Sequence, residues 1–147
     1  MKIDFYVLDT QSGQQSLFFA CQLIEKIHTE QHRRIYVNMN SREEAERFDA
    51  LLWTYRDDSF LPHDIYRQDN PNPPPIQIGH HEAPDGSREV LLNLSRDFPL
   101  FHENFEHVIE IVFSDPLVQQ LARDRFRQYR DKGCEIETYK IKASEVV

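Results

Sequence analysis

Apolar residues along the chain recur in two alternating rhythms. Residues 3–8 form a short run rich in Ile, Phe, Tyr and Val, the composition of a strand, and Asp9-Thr-Gln-Ser-Gly13 behind it is made of turn formers. From residue 14 the period lengthens. Leu17, Cys21, Ile24 and Ile27 return at three- and four-residue intervals, which puts them on one side of a helix expected over 14–32. A second strand is predicted over 35–39. Ser41 and Glu44 then make a capping-box sequence in which each can satisfy the other's open amide, so a second helix starts there and turns Ala45, Phe48 and Leu52 inward.

The pattern breaks from 57 to about 75. Asn70-Pro-Asn-Pro-Pro-Pro75 lacks the amide donor at four positions and reads as a loop, at about 69–75, and not as sheet interior. Residues 76–78 are expected to be a minor or edge strand, Pro84-Asp-Gly86 a turn, 90–94 a buried strand, and 107–113 another that is almost continuously apolar. Asp115-Pro116 opens a last helix, because the Asp side chain can accept the first amides and Pro is tolerated where none is required. That helix should reach about Asp131, with Gly133 as its C-cap glycine, before a final strand over 135–139 and fraying beyond about Tyr139. Strands and helices in this order specify an α/β domain with a mostly parallel sheet covered on both faces. Its 147 residues suit one domain spanning 1–147, and the sequence contains no internal repeat.

Composition narrows the functional classes. Apolar residues make up 39%, with ten Phe, six Tyr and one Trp, enough to build a packed core. The net charge of -8 argues against a duplex-DNA binder coated in basic charge, but leaves room for a local basic site. Cys21 and Cys134 stand far apart with no C-x-x-C spacing, so free thiols are favoured over a disulfide or a zinc knuckle. The opening MKIDFYVLDT lacks the apolar run of a signal peptide and no stretch approaches 18 apolar residues; a cytoplasmic address without membrane attachment is the expectation.

Catalytic chemistry finds little purchase. The first strand-to-helix junction has neither the glycines of a dinucleotide fingerprint nor a Walker loop. Asp9 could ligate magnesium only with help from Asp57, Asp58, Asp97 or Asp115, and a solvated role is favoured. The adjacent His80-His81 pair lacks the separated geometry of a zinc site and is expected in a surface loop. No G-x-S-x-G elbow is present, and Ser12 and Ser95 have no evident base. No catalytic residue, cofactor or metal is therefore assigned.

The last helix differs from the rest. Residues 119–133 hold Arg123, Arg125, Arg127, Arg130 and Lys132 against Asp124 and Asp131, a local excess of three positive charges. At ~100° per residue Arg123, Arg127 and Arg130 fall within about 60° of one another, with Gln119 alongside and Phe126 on the flank. Val118, Leu121, Ala122 and Tyr129 occupy the other side, and Arg125 points toward it, so Arg125 either snorkels or pairs internally. Two readings of the stripe stand: a solvated face with cations near the helix C-terminus, or a site where guanidinium groups grip an acidic peptide and the ring packs an apolar side chain. Trp53, just past the inward positions of the second helix, is either half-buried core or a ligand contact.

FYVLD at 5–9, RFDALLW at 47–53, SFLPH at 59–63 and QLARDRFRQYRDKG at 120–133 together resemble the chi subunit family of the bacterial DNA polymerase III holoenzyme. The resemblance implies a Rossmann-like three-layer domain without nucleotide site or catalysis. It implies two partners, the psi subunit of the clamp loader and the acidic C-terminal tail of single-stranded DNA-binding protein, with DNA contacted mainly indirectly. It carries tail binding onto Trp53, Arg123, Phe126, Arg127 and Gly133, with Arg130 beside them, and psi binding onto Phe60, Leu61 and His63. In that reading Arg123 and Arg127 take carboxylates, while Phe126 and Trp53 shape a pocket for a terminal aromatic residue. Phe126 stands where the family often has Tyr, and Gln119 where it can have Lys. The alternatives are a small nucleotide- or metal-dependent α/β enzyme and a weak single-stranded nucleic-acid-binding module.

Overall fold

The computed structural model describes residues 1–58, 60–81, 89–142 and 144; the Pro84-Asp-Gly86 turn and Ser59 lie outside them. Seven strands, β1 (Lys2–Asp9), β2 (Ile35–Met39), β3 (His63–Ile65), β4 (Ile76–His80), β5 (Val90–Asn93), β6 (His107–Val112) and β7 (Glu135–Lys142), form one sheet in the order β3-β4-β2-β5-β6-β1-β7. Every strand pairing in it is parallel. Three helices cover it: α1 (Gly13–Lys26), α2 (Arg42–Thr54) and α3 (Pro116–Asp131).

Chain direction decides which face each helix takes. From β1 through α1 to β2, and from β2 through α2 to β3, the chain steps one way across the sheet; from β6 through α3 to β7 it steps the other way. Right-handed crossovers in opposite directions put their helices on opposite faces. Strand alternation then sorts the core into two layers. Leu8, Val37, Ile78, Leu92 and Ile109 meet α1 and α2, while Ile3, Phe5, Tyr36, Leu91 and Val108 meet Ala122 and Tyr129 of α3.

Helix ends follow from their capping residues. Ser12 Oγ accepts from the Gln15 amide at 3.2 Å, and Asp115 Oδ2 accepts from Val118 at 3.0 Å with Pro116 at the first helical position. Only half of the expected capping box forms. Ser41 Oγ accepts from the Glu44 amide at 3.2 Å, but the Glu44 carboxylate turns to the Asn40 side chain at 3.0 Å. Gly133, at φ +80°, ends α3 in a Schellman arrangement, in which Cys134 N–H donates to Tyr129 C=O at 3.2 Å and Gly133 N–H to Arg130 C=O at 3.0 Å.

Four expectations are corrected. The first helix does not run evenly to residue 32: after Lys26 it widens into a π turn, Ile27–Gln31, and ends at His32 in the left-handed region. Residues 76–78 belong to the five-residue β4, which is interior, because the connector before it supplies the true edge strand, β3. His80 closes β4, so only His81 of the pair lies outside a strand. The last strand continues to Lys142, each residue from Lys2 to Asp9 pairing one from Glu135 to Lys142. Cys21 and Cys134 are both free, and burial pushes the Cys21 thiol up to about 12, which keeps it protonated and inert.

Candidate functional site

The arginine stripe is the wall of a groove. α3 does not cover the whole of its sheet face, and between it and the strands lies a cavity of about 380 Å³. Phe5 and Val7 of β1, Val112 of β6 and Thr138 of β7 form the floor; Gln119, Ala122, Arg123, Phe126, Arg127 and Arg130 form the wall. Phe126 is half-buried, its ring 5.5 Å from that of Phe5 and tilted 52°. It offers an apolar surface beneath three exposed guanidinium groups.

Among the described residues those groups have weak neighbours. Arg123 Nη1 donates to Gln120 Oε1 at 3.3 Å, Arg127 Nη1 to Asp124 Oδ1 at 3.1 Å, and Arg130 Nη2 lies 3.6 Å from Asp131 Oδ1. Exposed pairs of this kind contribute ~0–1 kcal/mol, so an incoming carboxylate can replace them at little cost.

Arg125 stands on the opposite side of α3 and pairs internally. Its Nε donates to Glu110 Oε1 at 3.1 Å and its Nη1 to the Arg96 carbonyl at 2.8 Å. Glu110, 0% exposed on β6, also accepts from Asn93 Nδ2 at 3.0 Å and from the Tyr129 hydroxyl at 2.8 Å. Asn38 Nδ2 extends the network by donating to Asn93 Oδ1 at 3.0 Å. Burial holds the Glu110 carboxyl above the ordinary carboxylate range, opposed by Arg125 and by the hydrogen bonds of Asn93 and Tyr129. Burial, and then Glu110, push the Tyr129 phenol upward. This network fixes the rotation of α3 and hence the outward direction of the stripe.

A second surface lies across the sheet and toward its other edge. Phe60 is 73% exposed and Trp53, on α2, is 48% exposed, with ring centroids 5.6 Å apart. His63 packs under the indole at 4.2 Å, with Nδ1 2.6 Å from the Leu61 carbonyl and Nε2 3.1 Å from the Asp49 carbonyl. Burial raises the Asp49 carboxyl, partly opposed by His63.

The family described as DNA polymerase III chi subunit, HolC, matches residues 1–137. The chain belongs to the DNA polymerase III chi subunit family. It is 32% identical over 140 residues to the DNA polymerase III subunit chi of Pseudomonas aeruginosa, covering 95% of this chain and 96% of that one. To the Escherichia coli subunit it is 29% identical over 138 residues, covering 91% and 94%. Among solved structures, the crystal structure of T4 UvsW is similar at a TM-score of 0.65 with 7% identity, over 97% of this chain and 41% of that one, a likeness of fold alone. The role of a chi-family chain is that of a non-catalytic accessory protein, an adaptor between clamp loader and single-stranded DNA-binding protein.

In this chi-family chain the expected site residues divide. Arg123, Phe126, Arg127 and Arg130 share the groove, and Gly133 shapes the end of its helix. Trp53 does not join them. It sits on the opposite face of the sheet with Phe60, because α2 and α3 arise from crossovers of opposite direction. Leu61 and His63 offer a partner little surface, at 2% and 6% exposure; Leu61 belongs to the core and His63 supports Trp53. The floor residues Phe5, Val7, Val112 and Thr138 were not singled out from sequence. The alternation of the first strand marks Phe5 and Val7 as sharing a face, but its pairing with β7 carries no sequence signal.

Among the described residues there is no group of three or more His, Cys, Asp or Glu placed to hold a metal ion, and no helix long and apolar enough to cross a membrane. Asp115 is occupied as a helix cap, and Asp9 is exposed.

Proposed function

We propose that the α3 groove receives the acidic C-terminal tail of single-stranded DNA-binding protein, and that the Trp53–Phe60 surface docks the psi subunit. The observation that carries the first half is the combination in one groove of three exposed, weakly held guanidinium groups and a half-buried phenylalanine, on a chain of net charge -8. Arg123 and Arg127 take carboxylates, with Arg130 as a third cation at the rim. Phe126, with Phe5 and Val7 beneath it, receives a terminal aromatic side chain. Long-range repulsion from the negative remainder is screened over ~10 Å at 0.1 M salt, while contacts inside the groove persist. A cytoplasmic address and a single domain over 1–147 belong to the same reading.

Calorimetric titration with a peptide copying that tail tests the reading directly. One-to-one saturable binding is expected, weaker at higher salt and weaker again when the peptide's terminal aromatic residue is removed. Binding indifferent to both would assign the groove to something else. Strong capture of bare oligonucleotide, unaffected by the acidic peptide, would favour a nucleic-acid-binding module instead.

For the second surface, Phe60→Ala is expected to abolish co-purification with psi while shifting stability by no more than ~0.5 kcal/mol, since the ring is largely exposed. Leu61→Ala is the contrasting variant. Its side chain is core, so it should destabilise the fold by ~2–5 kcal/mol whatever happens to psi. Normal psi recovery by a folded Phe60→Ala protein would remove the assignment.

A further inference from the structure

The cations that wall the α3 groove all stand on one helix, but the opposite bank is not neutral. β7 is the last strand of the sheet and pairs only with β1 among the described residues. Contacts fix its alternation: Ile136 joins the core under α3 and Thr138 lines the groove, while Tyr139 stacks on Tyr6 at 5.1 Å and Ile141 packs on the α1 side. Lys140 therefore stands on the α3 face. It is exposed and forms no ion pair or hydrogen bond among the described residues.

Register sets where Lys140 stands relative to the groove. Arg125 and Tyr129 tie the other flank of α3 to Glu110 of β6, so the stripe overlooks β1 and β7. The Cα of Lys140 pairs with that of Val7, a floor residue, and neighbouring strands lie ~4.8 Å apart, so its flexible stem starts one strand out from the cavity. Its level follows from the rise of each element. Phe126 meets Phe5, and α3, joining two parallel strands, runs against them. The step of about 6.6 Å from Phe5 to Val7 then spans about four helical residues back from Phe126, to Ala122 and Arg123. Arg123 and Lys140 thus stand at one level, on either side of Val7.

Neighbouring charges leave this amine available. Asp9 is the one carboxylate that β1 places on this face, and it is in register with Lys142, so those two exposed charges offset each other. Val7 and Thr138, beside Lys140, are neutral. Glu135 and Glu137 alternate to the other face, where Glu137 lies 3.7 Å from Lys2. Gln119 brings no charge to the α3 bank at this end of the groove.

We infer that Lys140 forms a second cationic bank of the groove and takes a carboxylate of the acidic tail that precedes its terminal aromatic residue. This rests on the tail-binding reading of the groove. With the terminal ring on Phe126 and Phe5, the preceding residues run toward Val7, and an extended segment lying on that floor sends successive side chains to opposite sides. One carboxylate then meets Arg123, and its neighbour in sequence meets Lys140. A consecutive acidic run is held from both banks, which a stripe on one helix cannot do.

Calorimetry of the whole chain with peptides copying the tail, each with one acidic residue changed to its amide, tests it. Lys140→Gln should weaken the unaltered peptide about threefold and Lys140→Glu about tenfold, with unfolding unchanged because the side chain is exposed. One amide change in the peptide should lose its effect in Lys140→Gln, and the change next to it in sequence should lose its effect in Arg123→Gln. Lys26→Gln, the same loss of charge on the other face of the sheet, should stay within about twofold of the unaltered chain. Failure of the unaltered chain to bind the tail would remove the groove reading and this inference together. Salt-sensitive binding that is equal in Lys140→Glu, or a loss in Lys140→Glu spread evenly over every acidic position, would overturn the inference and leave the groove reading standing.

Discussion

Replacing Arg125 by alanine is expected to destabilise the fold by about 3–5 kcal/mol at neutral pH, the usual consequence of stranding one partner of a buried ion pair. Glu110 is 0% exposed and its Oε1 receives the guanidinium. Without Arg125 the carboxylate keeps only Asn93 and Tyr129, two neutral donors. Denaturant unfolding over a range of pH checks both size and sign. Burial already raises the folded-state pKa of Glu110, and loss of Arg125, which opposes that rise, lifts it further. The folded variant then binds a proton more readily than the unfolded chain, so its deficit should shrink as pH falls through the raised folded-state pKa toward the ordinary carboxylate value, and be full above it. A deficit below about 1 kcal/mol, or one that grows toward acid pH, would show that water replaces the pair without penalty. Arg125→Met with Glu110→Leu should recover much of the loss, since apolar replacement of both partners is often neutral or better.

Reversing charge at Arg123 and Arg127 together, to glutamate, is expected to weaken the acidic tail by at least about a hundredfold, ~2.7 kcal/mol. Each arginine can supply a charge-assisted contact of ~1.5–3 kcal/mol, and each glutamate adds repulsion to a peptide of its own sign. Both residues are exposed, so the variant should unfold within ~0.5 kcal/mol of the parent. That separation is what makes calorimetry at low salt decisive: a folded double variant that still binds the tail as the parent does would remove the groove from the mechanism. Arg130→Ala should have the smaller effect of a rim cation, seen mostly in the salt dependence.

Elements with strong local signals were legible before any coordinates. The caps at Ser41 and Asp115 and the left-handed Gly133 act within a few residues of chain, so their sequence signature and their geometry coincide. The inward direction of Arg125 was legible for the same reason, because helical spacing alone decides it. What escaped was long-range. β3 is three residues of mixed polarity whose strand character comes from pairing with β4, and β4 is interior only because β3 exists. The π turn after Lys26 leaves the apolar spacing of Ile24 and Ile27 intact, so periodicity could not register it. The grouping of Trp53 with Phe126 came from the family resemblance, and helical spacing could not check it, because spacing orients a residue about its own axis and says nothing about which side of the sheet that helix occupies. Crossover direction settles that question, and it depends on strand order.

The opposed crossovers have one mechanical consequence. They leave the two surfaces on opposite faces of a fully parallel sheet, one toward its β7 edge and the other toward its β3 edge, so a strand-thick, hydrogen-bonded plate separates whatever binds on one side from whatever binds on the other. Such a plate holds two ligands at a fixed separation without letting them compete for space. With the described strands between the sites continuously paired, occupancy of one is expected to leave the intrinsic affinity of the other almost untouched. Any gain from joint occupancy then arises as effective concentration, set by the length of the tethers beyond the domain and not by a change of shape within it.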